Sequence, residues 1–153
     1  MDETHLKIFI KGTTNYFGQI AREAAEIGTP YLKEDNDNVI LDYSAVIGIS
    51  GSYRGCVYYT APKEMIRKLI IHMGEHNADD ALCADFVGEI ANTIAGNAQE
   101  ELGAGFMISV PIVLAGNPGS VRFPKDAPTF VIPIIWQGNK SYLLICVGES
   151  ITA

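Results

Sequence analysis

Two polar residues one helical turn apart, Glu89 and Asn92, form the pair in this sequence best suited to chemistry at a surface. A carboxylate is a charged hydrogen-bond acceptor, whereas a carboxamide both donates and accepts hydrogen bonds. On a helix, side chains spaced i and i+3 are neighbours on one face. We therefore expect this pair to contact a molecule outside the protein. The competing interpretation is a solvated helix face, because both residue types are common on surfaces.

A long helix is predicted to hold this pair. It begins in the polar cluster 77–80, where an aspartate can cap the exposed amides, and it runs to Leu102 with Gly103 as its terminator. At about 100° per residue, one broad side is apolar and suits packing on a sheet. That side comprises Cys83, Val87, Ile90, Ala91, Ile94, Ala98 and Leu102. The other side comprises Asp85, Glu89, Asn92, Thr93, Gly96 and Glu100.

Gly88 and Gly96 interrupt this helix, each at a cost of about 1 kcal/mol relative to alanine. Close packing against another helix, or against the backbone of a partner, would explain that cost. Gly96 follows Asn92 along the same row of side chains, so its missing side chain leaves clearance beside the carboxamide. This clearance favours a contact surface over a merely solvated face.

Composition and charge limit the classes of protein that the chain can belong to. With 153 residues, 48% hydrophobic and 19% charged, it fits a single domain over residues 1–153 that buries its own core. A net charge of −7 disfavours nucleic acid and anionic membrane surfaces as partners. No apolar run approaches the roughly 20 residues of a membrane helix, and the N-terminus lacks a signal-peptide pattern. We therefore expect a cytoplasmic protein whose three separate cysteines stay reduced.

The rest of the chain predicts two further helices and a set of strands. One helix is expected over residues 6–27, ended by Gly28 and Pro30, and another begins with Pro62 as its first residue. Strands are predicted at 39–43, 45–50, 55–60, 106–115, 129–136 and 141–147, with a loop over 116–128.

The order of these elements repeats within the chain. A helix followed by strands that end in a hairpin occurs over residues 6–60 and again over residues 79–148. This order indicates a pseudo-twofold repeat. We expect an α+β fold in which helices pack on one face of a mostly antiparallel sheet.

His72 and His76, with Glu75 between them, are the candidate metal ligands of the sequence. Gly74 marks a helix end between the two histidines, however, and the glutamate is adjacent to one of them rather than on the same row. A solvated helix terminus, with a histidine near the negative end of the dipole, is the favoured interpretation.

Two separated segments resemble the CheC/CheX family of chemotaxis phosphatases. Residues 88–98, GEIANTIAGNA, are similar to the family's active helix, in which a glutamate and an asparagine stand three residues apart. Residues 46–59, VIGISGSYRGCVYY, resemble its strand, glycine turn and strand. Order, spacing and length agree as well, so the resemblance covers nearly the whole chain.

This resemblance implies a phosphatase that acts on the aspartyl phosphate of a phosphorylated CheY-like response regulator. Asn92 would orient the attacking water, and Glu89 would pair with a lysine of the regulator. Asp85, Thr93 and Gly96 would contact the same partner. The Mg²⁺ that neutralises developing charge would belong to the regulator, so no intrinsic cofactor or metal is expected.

The sequence departs from the two-site members of the family. The corresponding part of the first helix, Gly12 to Asn15, lacks a glutamate, which favours the single-site, CheX-like branch. A homodimer fits that branch, and an apolar edge strand such as 141–147 would pair the two copies. The alternative is a noncatalytic adaptor of the same fold that docks on response regulators or motor-switch proteins.

Overall fold

The computed structural model describes residues 2–21, 25–34, 39–116, 121–123 and 127–150. Its helices are α1 (Glu3–Ile20), α2 (Lys63–His72) and α3 (Asp80–Leu102). Its strands are β1 (Glu26–Ile27), β2 (Tyr31–Leu32), β3 (Tyr43–Gly51), β4 (Tyr53–Ala61), β5 (Phe106–Ile108), β6 (Ile112–Ala115), β7 (Phe130–Trp136) and β8 (Asn139–Glu149). Within these ranges, no helix combines the length and the apolar character needed to cross a membrane.

The described strands form one sheet in which every pairing is antiparallel. The order across the sheet is β1-β7-β8-β4-β3-β5, with β2 also on β7 and β6 also on β3. The order is symmetric about the β8–β4 pair. Each half of the chain contributes a helix, two short strands and a hairpin, and the short strands of each half pair with the hairpin of the other. The predicted α+β class and its repeat of helix plus hairpin are confirmed.

The main core lies between the helices and one face of the sheet. Val87, Ile90 and Ile94 of α3 are fully buried there, opposite alternate side chains of β3 such as Ile47. Burying each of these side chains stabilises the fold by roughly 1.5–3 kcal/mol. The apolar side of α3 therefore fixes the rotation of the helix about its axis. A smaller cluster covers the opposite face of the sheet: Val39, Ile40, Tyr58, Val131 and Leu144.

The first helix is shorter than predicted. α1 ends at Ile20, and residues 22–24 of the predicted helix lie outside the described residues. Beyond them, β1 and β2 pair with β7, and the Gly28 amide donates to the Pro133 carbonyl over 2.8 Å. Gly28 and Pro30 are thus part of the sheet edge rather than a helix end. The free backbone groups of β7 determine this conformation, and local helix propensity does not reveal them.

The boundaries of other elements also differ from the predictions. The predicted strand 39–43 is wrong, because Val39 and Ile40 pack on the far-face cluster outside the ladder and β3 begins at Tyr43. Pro62 precedes α2 as its N-cap residue instead of being its first helical residue. The two hairpins, β3–β4 and β7–β8, are confirmed.

Two predictions in the second half of the chain need separate correction. The single strand 106–115 is divided into β5 and β6 by residues 109–111. The proposal that 141–147 is an edge strand is wrong, because β8 lies between β7 and β4. Residues 142–145 are paired on both sides, so this stretch is not open to a second copy. Homodimer formation itself stays a prediction. Of the predicted loop 116–128, residues 117–120 and 124–126 lie outside the described residues.

Candidate active site

Helix α3 is fixed at both ends by the caps that the sequence predicted. The Asp79 side chain accepts a hydrogen bond from the Leu82 amide over 2.8 Å. At the other end, Gly103 takes a positive φ of 92° and donates its amide to the Gln99 carbonyl. Glycine adopts this conformation without a steric cost. The caps and the buried side of the helix together hold its outer residues in place.

Glu89 and Asn92 both lie on the exposed side of α3, and Asp85 is exposed one turn before them. Thr93 and Gly96, the other residues predicted to contact a partner, are half-buried. Neither Glu89 nor Asn92 makes a hydrogen bond or an ion pair with any other residue in the described part of the chain. Their donor and acceptor groups are therefore available to an external molecule.

An open groove of about 620 Å³ lies beside this pair. One wall is helix α3, through Asp85, Gly88, Glu89 and Asn92. The other wall lies at the connection from β5 to β6 and is formed by Ile108, Ser109, Val110, Pro111 and Val113. The groove thus brings the predicted pair together with a segment that the sequence had placed inside a continuous strand. Pro111 was the missed signal, because proline cannot donate to a strand ladder and marks an interruption or an edge.

Ser109 anchors the second wall to β3. Its amide donates to the Gly48 carbonyl over 2.9 Å, and its Oγ accepts from the Gly48 amide over 2.8 Å. The Ser109 side chain thereby replaces a backbone partner of the interrupted ladder. Val110 follows directly and is 83% exposed, so an apolar side chain is held in solvent at the edge of the groove.

The two glycines of α3 have different surroundings. A Cβ on Gly88 would lie 2.9 Å from Cγ2 of Val113, so the glycine lets the helix and β6 approach closely. The close packing predicted for Gly88 is thus a contact within the chain. A Cβ on Gly96 would have no neighbouring atom within 4 Å, which confirms the predicted clearance.

The charge in the groove is of one sign. Asp85 and Glu89 supply two carboxylates one turn apart, and no described residue that lines the groove is a lysine or an arginine. Outside the groove lining, burial, with a further contribution from the Glu89 carboxylate, raises the pKa of the Tyr16 phenol of α1 to about 12. The two groove carboxylates, Asp85 and Glu89, therefore suit a cationic group from outside the chain.

The counterpart segment of α1 is used for packing. A Cβ on Gly12 would lie 3.6 Å from Cβ of Asn97 in α3, so the glycine sits at the contact between the two helices. Thr13 is buried, and its hydroxyl donates to the Phe9 carbonyl over 2.7 Å. Asn15 is exposed. With no carboxylate beside it, this segment does not repeat the arrangement found on α3.

The histidine cluster does not form a metal site. Helix α2 ends at His72, and Glu75 and His76 follow in exposed positions beyond it. No group of three or more histidine, cysteine, aspartate or glutamate residues is arranged for a metal ion anywhere in the described ranges. The predicted solvated terminus is only partly right, because the His72 ring packs edge-on against Trp136 at 5.6 Å between centroids.

Comparisons with known proteins agree with this architecture. The family model described as "Chemotaxis phosphatase CheX" matches residues 43–135, a range that includes the whole groove. A crystal structure of chemotaxis protein CheX from Desulfovibrio desulfuricans shares 28% identity and a TM-score of 0.82, over 95% of this chain and 99% of that one. CheX from Vibrio vulnificus has 24% identity and a TM-score of 0.82, and the match covers 95% of this chain and 99% of that one.

A third similar structure is a complex. It contains CheX, CheY, BeF₃ and Mg²⁺ from Borrelia burgdorferi, and the matched chain has 22% identity and a TM-score of 0.80, over 95% of this chain and 98% of that one. Curated protein sequences gave no significant match.

Proposed function

Because this chain belongs to the CheX family of chemotaxis phosphatases, we propose that it hydrolyses the aspartyl phosphate of a CheY-like response regulator. The observation that carries the proposal is the exposed pair Glu89 and Asn92, which stands in an acidic groove without partners among the described residues. The Borrelia CheX bound to CheY with BeF₃ and Mg²⁺ supports a regulator as the partner here.

Asn92 has the chemistry that this hydrolysis needs. In the reaction, the oxygen of water attacks phosphorus, the bond from phosphorus to the aspartyl oxygen breaks, and the products are inorganic phosphate and a free carboxylate. An acyl phosphate is already activated, so the missing element is a water held in line with the leaving carboxylate. A carboxamide can accept from that water and donate to a phosphoryl oxygen at the same time. Such positioning replaces an improbable encounter by a prepared geometry.

Glu89 is proposed to fix the approach of the regulator by pairing with one of its lysines. Asp85, one turn away in the same groove, adds negative charge that favours the same cation. Thr93 and Gly96 extend this contact surface along α3, and the open space over Gly96 admits the regulator backbone. The Mg²⁺ that neutralises the phosphoryl oxygens is supplied by the regulator, as in other phosphoryl-transfer sites where the metal is held beside the phosphate.

The test is the decay of a phosphorylated CheY-like regulator with and without this protein. Wild-type protein should accelerate the decay, and Asn92→Ala should lose about 100-fold of that acceleration while still binding the regulator. Asn15→Ala is the matched control, since Asn15 is an exposed asparagine at the corresponding position of α1; it should behave as wild type.

Either of two results would contradict the proposal. One is an unchanged decay rate with the wild-type protein across CheY-like regulators, and the other is full activity in Asn92→Ala. Tight binding without accelerated decay would instead indicate the noncatalytic adaptor.

A further inference from the structure

The connection from β5 to β6, residues 109–111, forms the middle of the second groove wall. Ser109 holds it to Gly48 by two hydrogen bonds, at 2.9 and 2.8 Å, and Pro111 stands where the strand ladder is interrupted. The segment between them presents Val110 to solvent at 83% exposure. An anchored backbone that exposes an apolar side chain is a surface prepared for contact, since little ordering is needed when a partner binds.

Strand register separates Val110 from the other exposed apolar side chains of this edge. Ile112 pairs with Val46, which packs with the cluster on the far face of the sheet. Met107 pairs with exposed Ser50, and alternation along β5 places it on the same far face. Val110 lines the groove, whereas Ile112 and Met107 do not. Ile108, Pro111 and Val113 also line the groove but are half-buried, so Val110 is its most exposed apolar side chain.

Charge and apolar surface together define the occupant of the groove. The α3 wall carries the carboxylates of Asp85 and Glu89, and the opposite wall carries Val110 and Pro111. Two carboxylates repel an anionic ligand and attract a cation. The groove is wide open to solvent, which suits a protruding part of a protein surface. The complementary partner thus presents a basic side chain directly beside an aliphatic or aromatic one.

We propose that Val110 is a specificity-determining contact that receives an apolar side chain of the regulator, next to the lysine that pairs with Glu89. This inference rests on the proposed function, because it takes the regulator as the molecule in the groove. It assigns discrimination among CheY-like regulators to the β5–β6 connection and leaves the hydrolytic step to Asn92. A contact used for docking changes KM, whereas the loss of water positioning changes kcat.

The experiment compares Val110→Ala with Ile112→Ala, a control aliphatic residue of similar exposure that faces away from the groove. Decay of the phosphorylated regulator is measured over a range of regulator concentrations. We expect Val110→Ala to raise KM about tenfold with kcat within about twofold of wild type, a change of about 1.4 kcal/mol. Ile112→Ala should leave both constants unchanged. Val110→Thr keeps the shape and removes the apolar character, so it should raise KM as well.

A second measurement separates this inference from the proposed function. Binding of the regulator loaded with BeF₃ and Mg²⁺ is titrated directly, with no hydrolysis required. Weaker binding by Val110→Ala alone supports the contact even if the wild-type protein does not accelerate decay, in which case only the phosphatase proposal fails. If Val110→Ala, Ile112→Ala and wild type showed equal affinity and equal KM, the inference about Val110 would be overturned. In that case, accelerated decay by the wild-type protein would still support the phosphatase proposal. A fall in kcat without a change in KM would also overturn it.

Discussion

Replacement by alanine should have different effects on the free energy of unfolding at the two glycines of α3, Gly96 and Gly88. Gly96→Ala places a methyl group where no atom lies within 4 Å, so the variant gains the helix propensity of alanine without a clash. The gain in the free energy of unfolding is about 1 kcal/mol. For a chain of this size it raises Tm by about 2–4 °C. The added methyl also stands on the proposed contact surface, so KM for the phosphorylated regulator should rise.

Gly88→Ala introduces the same methyl into an occupied space. Its Cβ would lie 2.9 Å from Cγ2 of Val113, closer than carbon atoms approach without displacement, and a β-branched valine has few rotamers with which to move away. Overpacking costs about 1–3 kcal/mol, which offsets or exceeds the propensity gain of about 1 kcal/mol. The net change should range from about zero to a loss of about 2 kcal/mol.

Urea denaturation and thermal melting of both variants measure these changes. The double variant Gly88→Ala, Val113→Ala provides an internal control, because removal of Cγ2 should abolish the penalty of the alanine at residue 88. If Gly88→Ala stabilised the protein as much as Gly96→Ala, the close approach of α3 and β6 would be refuted. A stabilised Gly96→Ala variant with unchanged KM would refute the role of Gly96 as clearance for the regulator.

Two further predictions concern groups buried in the sheet and core. Thr60→Val should lower the free energy of unfolding by about 1–3 kcal/mol in urea titrations, because the buried Thr60 hydroxyl accepts from the Leu41 amide at 2.8 Å and the Ser44 hydroxyl at 2.9 Å; a loss below about 0.5 kcal/mol would contradict this. Burial raises the pKa of Tyr16 to about 12 and raises that of Tyr59, above the unfolded value of about 10. Their stabilising contribution is therefore complete below about pH 10 and lost as pH rises towards 12; tyrosinate absorbance should appear together with unfolding, and gradual titration of the folded protein would argue against it.

The sequence predicted those elements whose signals are local. The amphipathic period, the polar cluster 77–80 and Gly103 were sufficient to place both ends of α3, which runs from Asp80 to Leu102, and a glycine turn marked the β3–β4 hairpin. The end of α1 was mispredicted, since β1 and β2 exist only because β7 offers free backbone groups from a distant part of the chain. Strand order is non-local in the same way, so β8 was taken for an edge although it is central.

The candidate site also has one part that local sequence predicts and one part that depends on distant contacts. Residue types and spacing on α3 were enough to select Glu89 and Asn92, because one helix positions both side chains. The open space over Gly96 follows from the same helical row. The second wall of the groove could not be derived in this way, since Val110 reaches it only through the bonds of Ser109 to Gly48, 61 residues apart.

By itself, the sequence determined which side of α3 is buried and which polar pair is displayed, because helical periodicity and capping act within a few residues. Only the tertiary structure decided that this pair faces a groove, that Gly88 serves packing while Gly96 leaves space, and that Gly12 lies at a helix contact. Those properties depend on which distant segments come to lie against the helix. The short strands of each half pair with the hairpin of the other half, and this pairing determines which segments contact α3. Backbone hydrogen bonds and burial between distant parts of the chain stabilise that pairing.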